Sequence, residues 1–167
     1  EIVDILKANR PCCVSLRPKN CNFSLKAIRE VFEKISFLNP VVLINFGQIK
    51  DKDKGADDLV WLAERFPNMR FVIKQALQGS WPFFYNVMSR TENVCFDISR
   101  LVSMHAIENL CERFGEERVL FGQSGRSSGG ASMAAIEYAE ISQEAKEKIR
   151  CRNFINLFSD PQERAYL

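Results

Sequence analysis

Five short apolar or β-branched runs, at residues 12–16, 41–46, 70–74, 94–98 and 119–122, recur with starts about 23 to 30 residues apart, the size of a βα unit. Helical periodicity fills the intervals. Leu25, Ile28, Val31, Phe32 and Ile35 share one helical face behind a capping Ser24, and Leu59, Leu62, Ala63 and Phe66 share another that ends at Pro67-Asn68. Ser80 and Pro82 open a third helix, because proline in a first turn gives up an N–H that has no helical partner there. Met104, Ile107, Leu110, Cys111 and Phe114 form a fourth after Ser103, stopped by Gly115. A helical tail covers roughly residues 131–139 and then 143–158, with Ser142 as its internal cap. Strict alternation with apolar strands demands a parallel sheet covered by helices, and right-handed crossovers make that sheet doubly wound or part of a barrel. In either arrangement, function collects at the C-terminal ends of the strands. The charged run "IKDKDKGADD" reads as a solvated βα loop.

The 167 residues suffice for one domain with a core, or for part of a larger one. The first residue is Glu1, so a processed or excised segment is expected. Lys and Arg total 23 against 21 Asp and Glu, which gives no electrostatic case for nucleic acid or an anionic membrane. The apolar stretches are far shorter than the roughly 20 residues of a membrane span, and the N-terminus lacks a signal-peptide pattern, so the chain reads as soluble. Of six cysteines, four lie in apolar periodic segments and none forms C-x-x-C. Reduced, mostly buried thiols in the cytoplasm are the expectation.

The strand exits give an inventory of the mouth. The first run ends in Arg17, Pro18, Lys19 and Asn20, the second in Asn45 and Gln48, and the third in Lys74 and Gln75. The fourth supplies Asp97, Ser99 and Arg100, and the fifth Gln123, Ser124 and, further along, Arg126. Amides, hydroxyls and cations dominate, with one carboxylate. A catalytic zinc site takes about three protein ligands, usually several of them histidines, and the single histidine, His105, stands near a helix start. Ser124, His105 and Asp97 formally offer a nucleophilic relay, but Gly122-Gln123-Ser124-Gly125 lacks the G-x-S-x-G elbow. Asp97 alone cannot supply the paired carboxylates of a glycosidase; its expected work is to cap the following turn or to pair with Arg17 or Arg100. The glycine-rich loop 122–130 with Arg126 suits either an anion site or a plain connection, and it matches no phosphate-loop motif. Trp81, Phe83, Phe84 and Tyr85 are expected to pack in the core, or else to wall the pocket or meet another chain.

The run "NVCFDIS", the helix and strand "IENLCERFGEERVLFGQS" and the tail "EKIRCRNFINLF" resemble the C-terminal half of the amidohydrolase-related metal-dependent hydrolases. "LAERFPNMRFVIKQALQG" is similar to that family's approach to strand six, "NPVVLINFG" to its strand five, and "LRPKNCNFSL" to its strand four and following loop. Asn153 stands where the family carries a characteristic asparagine in its closing helix. The resemblance implies a (β/α)8 barrel, of which this chain carries strands four to eight, and hydrolysis or decarboxylation around a divalent metal, commonly zinc. Carried over residue by residue, the strand-five histidine falls on Asn45, the strand-six histidine on Gln75 and the metal-binding aspartate on Ser124. The first-strand H-x-H pair belongs to a region outside this chain. Two amides and a hydroxyl replace the imidazole and carboxylate donors that hold zinc, so the chain resembles a family member without the metal site.

The expected fold is therefore α/β, a partial TIM barrel of about five strands forming a single domain over residues 1–167. The expected function is binding of a small polar or anionic molecule at the mouth, by Arg17, Lys19, Asn45, Gln75, Asp97, Ser99, Ser124 and Arg126, with no metal, no cofactor and no assigned catalytic residue. Two alternatives stand beside it. One is a metal-dependent hydrolase of the same superfamily whose remaining ligands, for zinc or another divalent ion, lie in a missing N-terminal part. The other is a structural module that self-associates. Five strands cannot close as eight do, so either a missing N-terminal portion or a homo-oligomer is expected to cover the sheet edges.

Overall fold

A computed structural model describes residues 1–8, 13–21, 23–76, 78–101, 103–125 and 129–158. Five strands, β1 (Cys13–Leu16), β2 (Val41–Asn45), β3 (Arg70–Lys74), β4 (Val94–Asp97) and β5 (Val119–Leu120), pair in parallel in chain order. The helices between and after them are α1 (Ile2–Ala8), α2 (Arg29–Ile35), α3 (Lys52–Arg65), α4 (Trp81–Arg90), α5 (Ala106–Phe114), α6 (Gly129–Tyr138), α7 (Gln143–Glu147) and α8 (Asn153–Asn156). The fold is a partial α/β barrel: alternation of apolar runs and helical faces allowed a doubly wound sheet or a barrel, and the sequential strand order is that of a barrel. No helix among the described residues is long and apolar enough to cross a membrane.

Side-chain alternation divides the sheet into two faces. Leu16, Val42, Ile44, Phe71, Ile73, Val94, Phe96 and Val119 join the main core under the helices, with Phe32, Leu59, Leu62, Phe84 and Leu110. Val41, Val72, Cys95 and Leu120 form a separate inner layer, capped by Leu157 and flanked by Leu43 and Phe158. Asn153 places that cap: its buried amide donates to Glu116 O at 2.7 Å and Val119 O at 2.9 Å, fastening α8 to the entrance of β5. Arg118 works nearby, donating to the Val94 and Met88 carbonyls at 3.0 Å each. Its half-buried guanidinium thus knits α4 and β4 to the start of β5.

Several expectations are corrected. The charged run at residues 49–58 is the start of α3 rather than a loop. Asp51 caps it, accepting from Lys54 N at 3.0 Å, and Asp53 meets the positive helix end, so the charges that suggested solvent are those of a helix N-terminus. One face of the same run is buried, at Gly55, Ala56 and Asp58. The fourth helix starts at Ala106, later than periodicity suggests, because His105 takes the left-handed conformation (φ 53°) at its N-cap; Met104 stands exposed. Ser24 makes no side-chain cap, and Val31 faces solvent; instead Asp58 reaches across from α3 to the Lys26 N–H at 3.5 Å. The thiols are free but not mostly buried: Cys13, Cys21 and Cys151 are exposed, Cys111 is half-buried and Cys95 is buried. Cys13 is exposed on the inner face with Ser15 on the edge strand, outside the layer that Leu157 and Phe158 cover. Cys12 lies outside the described residues. The aromatics of α4 pack as expected: Phe83 and Phe84 are buried, and Phe84 meets Phe96 edge-on at 4.2 Å.

Candidate functional site

The inner face runs out of apolar residues at the C-terminal ends of the strands. Two residues beyond Leu43, Val72, Cys95 and Leu120 on that face come Asn45, Lys74, Asp97 and Gly122, and the same period carries Ser15 to Arg17. One level of the half-barrel therefore carries two cations, an amide, a carboxylate and a glycine.

A chain of hydrogen bonds joins successive strand ends. Asn45 Oδ1 accepts from Gly47 N at 2.8 Å and turns the chain into the 3-10 segment Phe46–Gln48. The Asn45 amide donates to Gln75 Oε1 at 2.6 Å. Gln75 occupies the left-handed region (φ 57°) directly after β3, which brings its side chain back toward β2. Its backbone N–H donates to Asp97 Oδ1 at 2.9 Å, and the same oxygen accepts from Ser99 N at 3.2 Å and Ser99 Oγ at 2.7 Å. Asp97 thus caps its own turn and anchors the neighbouring strand end. A Cβ at Gly122 would stand 2.7 Å from Asp97 Cγ, so the glycine allows the carboxylate to lie against the exit of β5. On the other flank, Asn20 N donates to Gln48 Oε1 at 3.3 Å, tying the first loop to the second.

Of the sequence-predicted residues, Asn45, Gln75, Asp97 and Ser99 are joined in this network. Arg17 is exposed at the end of β1 and has no ion pair among the described residues. Lys19 is exposed in the loop after β1, where its charge helps to hold the Lys52 ammonium below its ordinary range, an effect led by burial of Lys52 over Phe46. Ser124 is exposed in the loop after β5. Arg126 lies outside the described residues. Lys74, named among the exits but not among the candidate binders, gains importance: it is half-buried, shares the inner level with Asn45 and Asp97, and no described residue pairs with its ammonium. The alternation of β3 was the signal that could have selected it.

The donor set does not fit a zinc-type metal. Asn45 Oδ1, Gln75 Oε1 and Asp97 Oδ1 are all committed to hydrogen bonds, and among the described residues no group of three His, Cys, Asp or Glu could hold an ion. His105 faces Glu108 Oε1 at 3.6 Å on α5, not a serine nucleophile. What remains available at the mouth is donor-rich: the Lys74 ammonium and the Gln75 carboxamide N–H groups, with Arg17 at the edge.

No family model and no curated protein matches the chain. Solved structures do. The chain superposes on 5-carboxyvanillate decarboxylase of Sphingomonas paucimobilis with TM-score 0.60 and 16% identity, covering 78% of this chain and 52% of that one. An uncharacterized TIM-barrel protein of Bordetella bronchiseptica gives TM-score 0.67 and 18% identity, over 87% of this chain and 56% of the other. The 5-carboxyvanillate decarboxylase of Novosphingobium aromaticivorans, solved with manganese and 4-hydroxy-3-methoxy-5-nitrobenzoic acid, gives TM-score 0.65 and 12% identity, over 86% and 55%. At these identities the likeness is one of fold, and the chain spans just over half the length of each barrel.

Proposed function

We propose that residues 1–167 form one partial barrel domain of amidohydrolase-like type, whose mouth holds a small polar or anionic molecule in place of a catalytic metal. The observation that carries this reading is the hydrogen-bonded Asn45–Gln75 amide pair, standing where the family resemblance expects imidazoles, beside the Lys74 ammonium, which pairs with no other described residue, on the same inner level. Half-buried amide and ammonium donors favour carboxylate or phosphate oxygens. In this reading Arg17, Lys74 and Gln75 bind the ligand, Asn45, Asp97 and Ser99 position Gln75, and Ser124 and Lys19 border the mouth.

Thermal unfolding in the presence of phosphate, sugar acids and small carboxylates tests it. At a ligand concentration 100 times Kd, linkage stabilises the folded chain by about 2.7 kcal/mol, and Lys74→Met and Gln75→Leu are expected to remove that gain. Absence of stabilisation by every class overturns the reading.

A second reading draws support from the solved neighbours, two of which are decarboxylases and one of which carries manganese. In it, a longer polypeptide supplies the remaining ligands and is a metal-dependent enzyme of the same superfamily. Elemental analysis of that longer protein separates the two: one equivalent of zinc or manganese favours the enzyme, and a metal content far below one equivalent favours the ligand-binding domain.

A further inference from the structure

Lys74 and Asp97 are a cation and an anion on neighbouring strands that do not meet. Ile73 of β3 stands opposite Phe96 of β4, so the next residues, Lys74 and Asp97, leave the sheet side by side on its inner face. Adjacent strands lie about 4.8 Å apart, close enough for a cross-strand ion pair, yet the Lys74 ammonium pairs with no described residue.

The carboxylate's other bonds explain the gap. Asp97 Oδ1 accepts from Ser99 Oγ at 2.7 Å, Gln75 N at 2.9 Å and Ser99 N at 3.2 Å. Three donors on one oxygen hold the group in place. Its other oxygen, Oδ2, accepts from none of the described residues and fills the space that a side chain at position 122 would take, 2.8 Å from a Cβ built on Gly122. On the opposite side of Lys74, Gln75 Oε1 accepts from the Asn45 amide at 2.6 Å, which leaves the two N–H groups of the Gln75 carboxamide as donors. Across the sheet the level therefore presents an amide donor, an ammonium and then an open carboxylate oxygen. Arg17 follows β1, two strands and roughly 10 Å from Lys74, so the Lys74–Asp97 unit is locally neutral and dipolar.

A ligand with negative charge alone satisfies Lys74 and Gln75 but is repelled by Asp97. A ligand with positive charge alone meets the reverse. A molecule with a carboxylate and an ammonium on one carbon satisfies both, through charge-assisted hydrogen bonds at each end.

We propose, resting on the ligand-binding reading of this mouth, that its ligand is a zwitterionic α-amino acid. The carboxylate accepts from Lys74 Nζ and Gln75 Nε2, and the ammonium donates to Asp97 Oδ2.

Two-dimensional NMR titration of the chain with glycine and L-alanine tests the site, read at the Gln75 and Ser99 amides, which both donate to Asp97. Acetate, N-acetylglycine and methylammonium are the comparisons, each lacking one of the two charges. Both amino acids are expected to bind at least about tenfold more tightly than any of the three. Asp97→Asn keeps an acceptor oxygen for Gln75 and Ser99 but puts an amide N–H2 in place of Oδ2. It is expected to weaken glycine by about tenfold or more and to leave acetate as tight or tighter. Should that variant fail to fold, glycine against N-acetylglycine on the unaltered chain asks the same question. Any comparison compound binding as tightly as glycine, or glycine undiminished in Asp97→Asn, overturns the proposal. Binding of phosphate or acetate without binding of either amino acid overturns it too and leaves the broader reading of the mouth standing, whereas no binding by any of these compounds removes both.

Discussion

Asn153 shows how much one side chain decides. It is 3% exposed, and its amide satisfies two carbonyls at the junction of α8 with β5. Asn153→Ala leaves both without that donor and is expected to cost about 1–3 kcal/mol in chemical denaturation; a loss below about 0.5 kcal/mol would show that water takes over the role. Gly122 is the matching constraint at the other end of β5. Gly122→Ala places a methyl 2.7 Å from Asp97 Cγ, so the variant is expected to lose about 1–3 kcal/mol and to disturb the Gln75 and Ser99 amide resonances together. The sequence pointed to Asn153 through resemblance and to Asp97 through its place at a strand exit. Lys74 needed only the period of two along β3. The bond between Asn45 and Gln75 was not legible, because it depends on a positive φ at Gln75 and on the pairing of β2 with β3.

Among the elements, α3 is the one most clearly governed by a neighbour. Intrinsic helix propensity favours alanine over glycine at position 55 by about 1 kcal/mol. Here, however, a Cβ would lie 2.2 Å from Ile49 Cγ2, so Gly55→Ala is expected to destabilise by about 1–3 kcal/mol. In a double-mutant cycle with Ile49→Ala, the pair is expected to cost less than the sum of the single changes, and additivity would refute the clash. The turn before β5 and the helices around it add a pH dependence. The Glu116 carboxyl is held below its ordinary value of 4.5, by its own backbone N–H and by Lys148. Burial pushes Glu108 up, but the N–H groups of Glu140 and Glu108 and the nearby His105 outweigh it and leave its pKa lowered. A depressed folded pKa contributes stability above the unfolded value that disappears as pH falls through the folded one. Lys148, raised by Glu117 and Glu116, contributes fully below 10.5 and ceases to do so only as pH rises through its higher folded value. Tm is therefore expected to hold steady between about pH 5 and 8, to drop on the acid side, and to fall above about pH 9, where the unfolded chain ionises the Cys111 thiol that burial pushes up to about 12; an acid limb unchanged in Glu108→Gln/Glu116→Gln would refute this assignment. The five strands and the helices that follow them were legible from periodicity, whereas α1 and the starts of α3 and α5 were not, the latter two because a charged N-terminus and a left-handed His105 leave little local signal.

The whole molecule is an open, five-stranded arc whose inner layer is covered by Leu157 and Phe158 but whose β1 edge presents exposed Cys13 and Ser15. Unpaired strand edges attract further strands. The 167-residue chain is accordingly expected to show a mass above 19.2 kDa by light scattering at micromolar concentration, and a monomer that persists at every concentration would overturn that expectation. By itself the sequence determined the alternation of strands and helices and the parallel sheet, because these follow from local periodicity, while the choice of a barrel over a doubly wound sheet came from the family resemblance. The tertiary structure decided which strand ends share a face, and that Gln75 turns back to Asn45 and anchors on Asp97. Those outcomes depend on strand register, on three positive-φ residues, Asn39, Gln75 and His105, and on contacts between residues far apart in the chain, none of which a local pattern encodes.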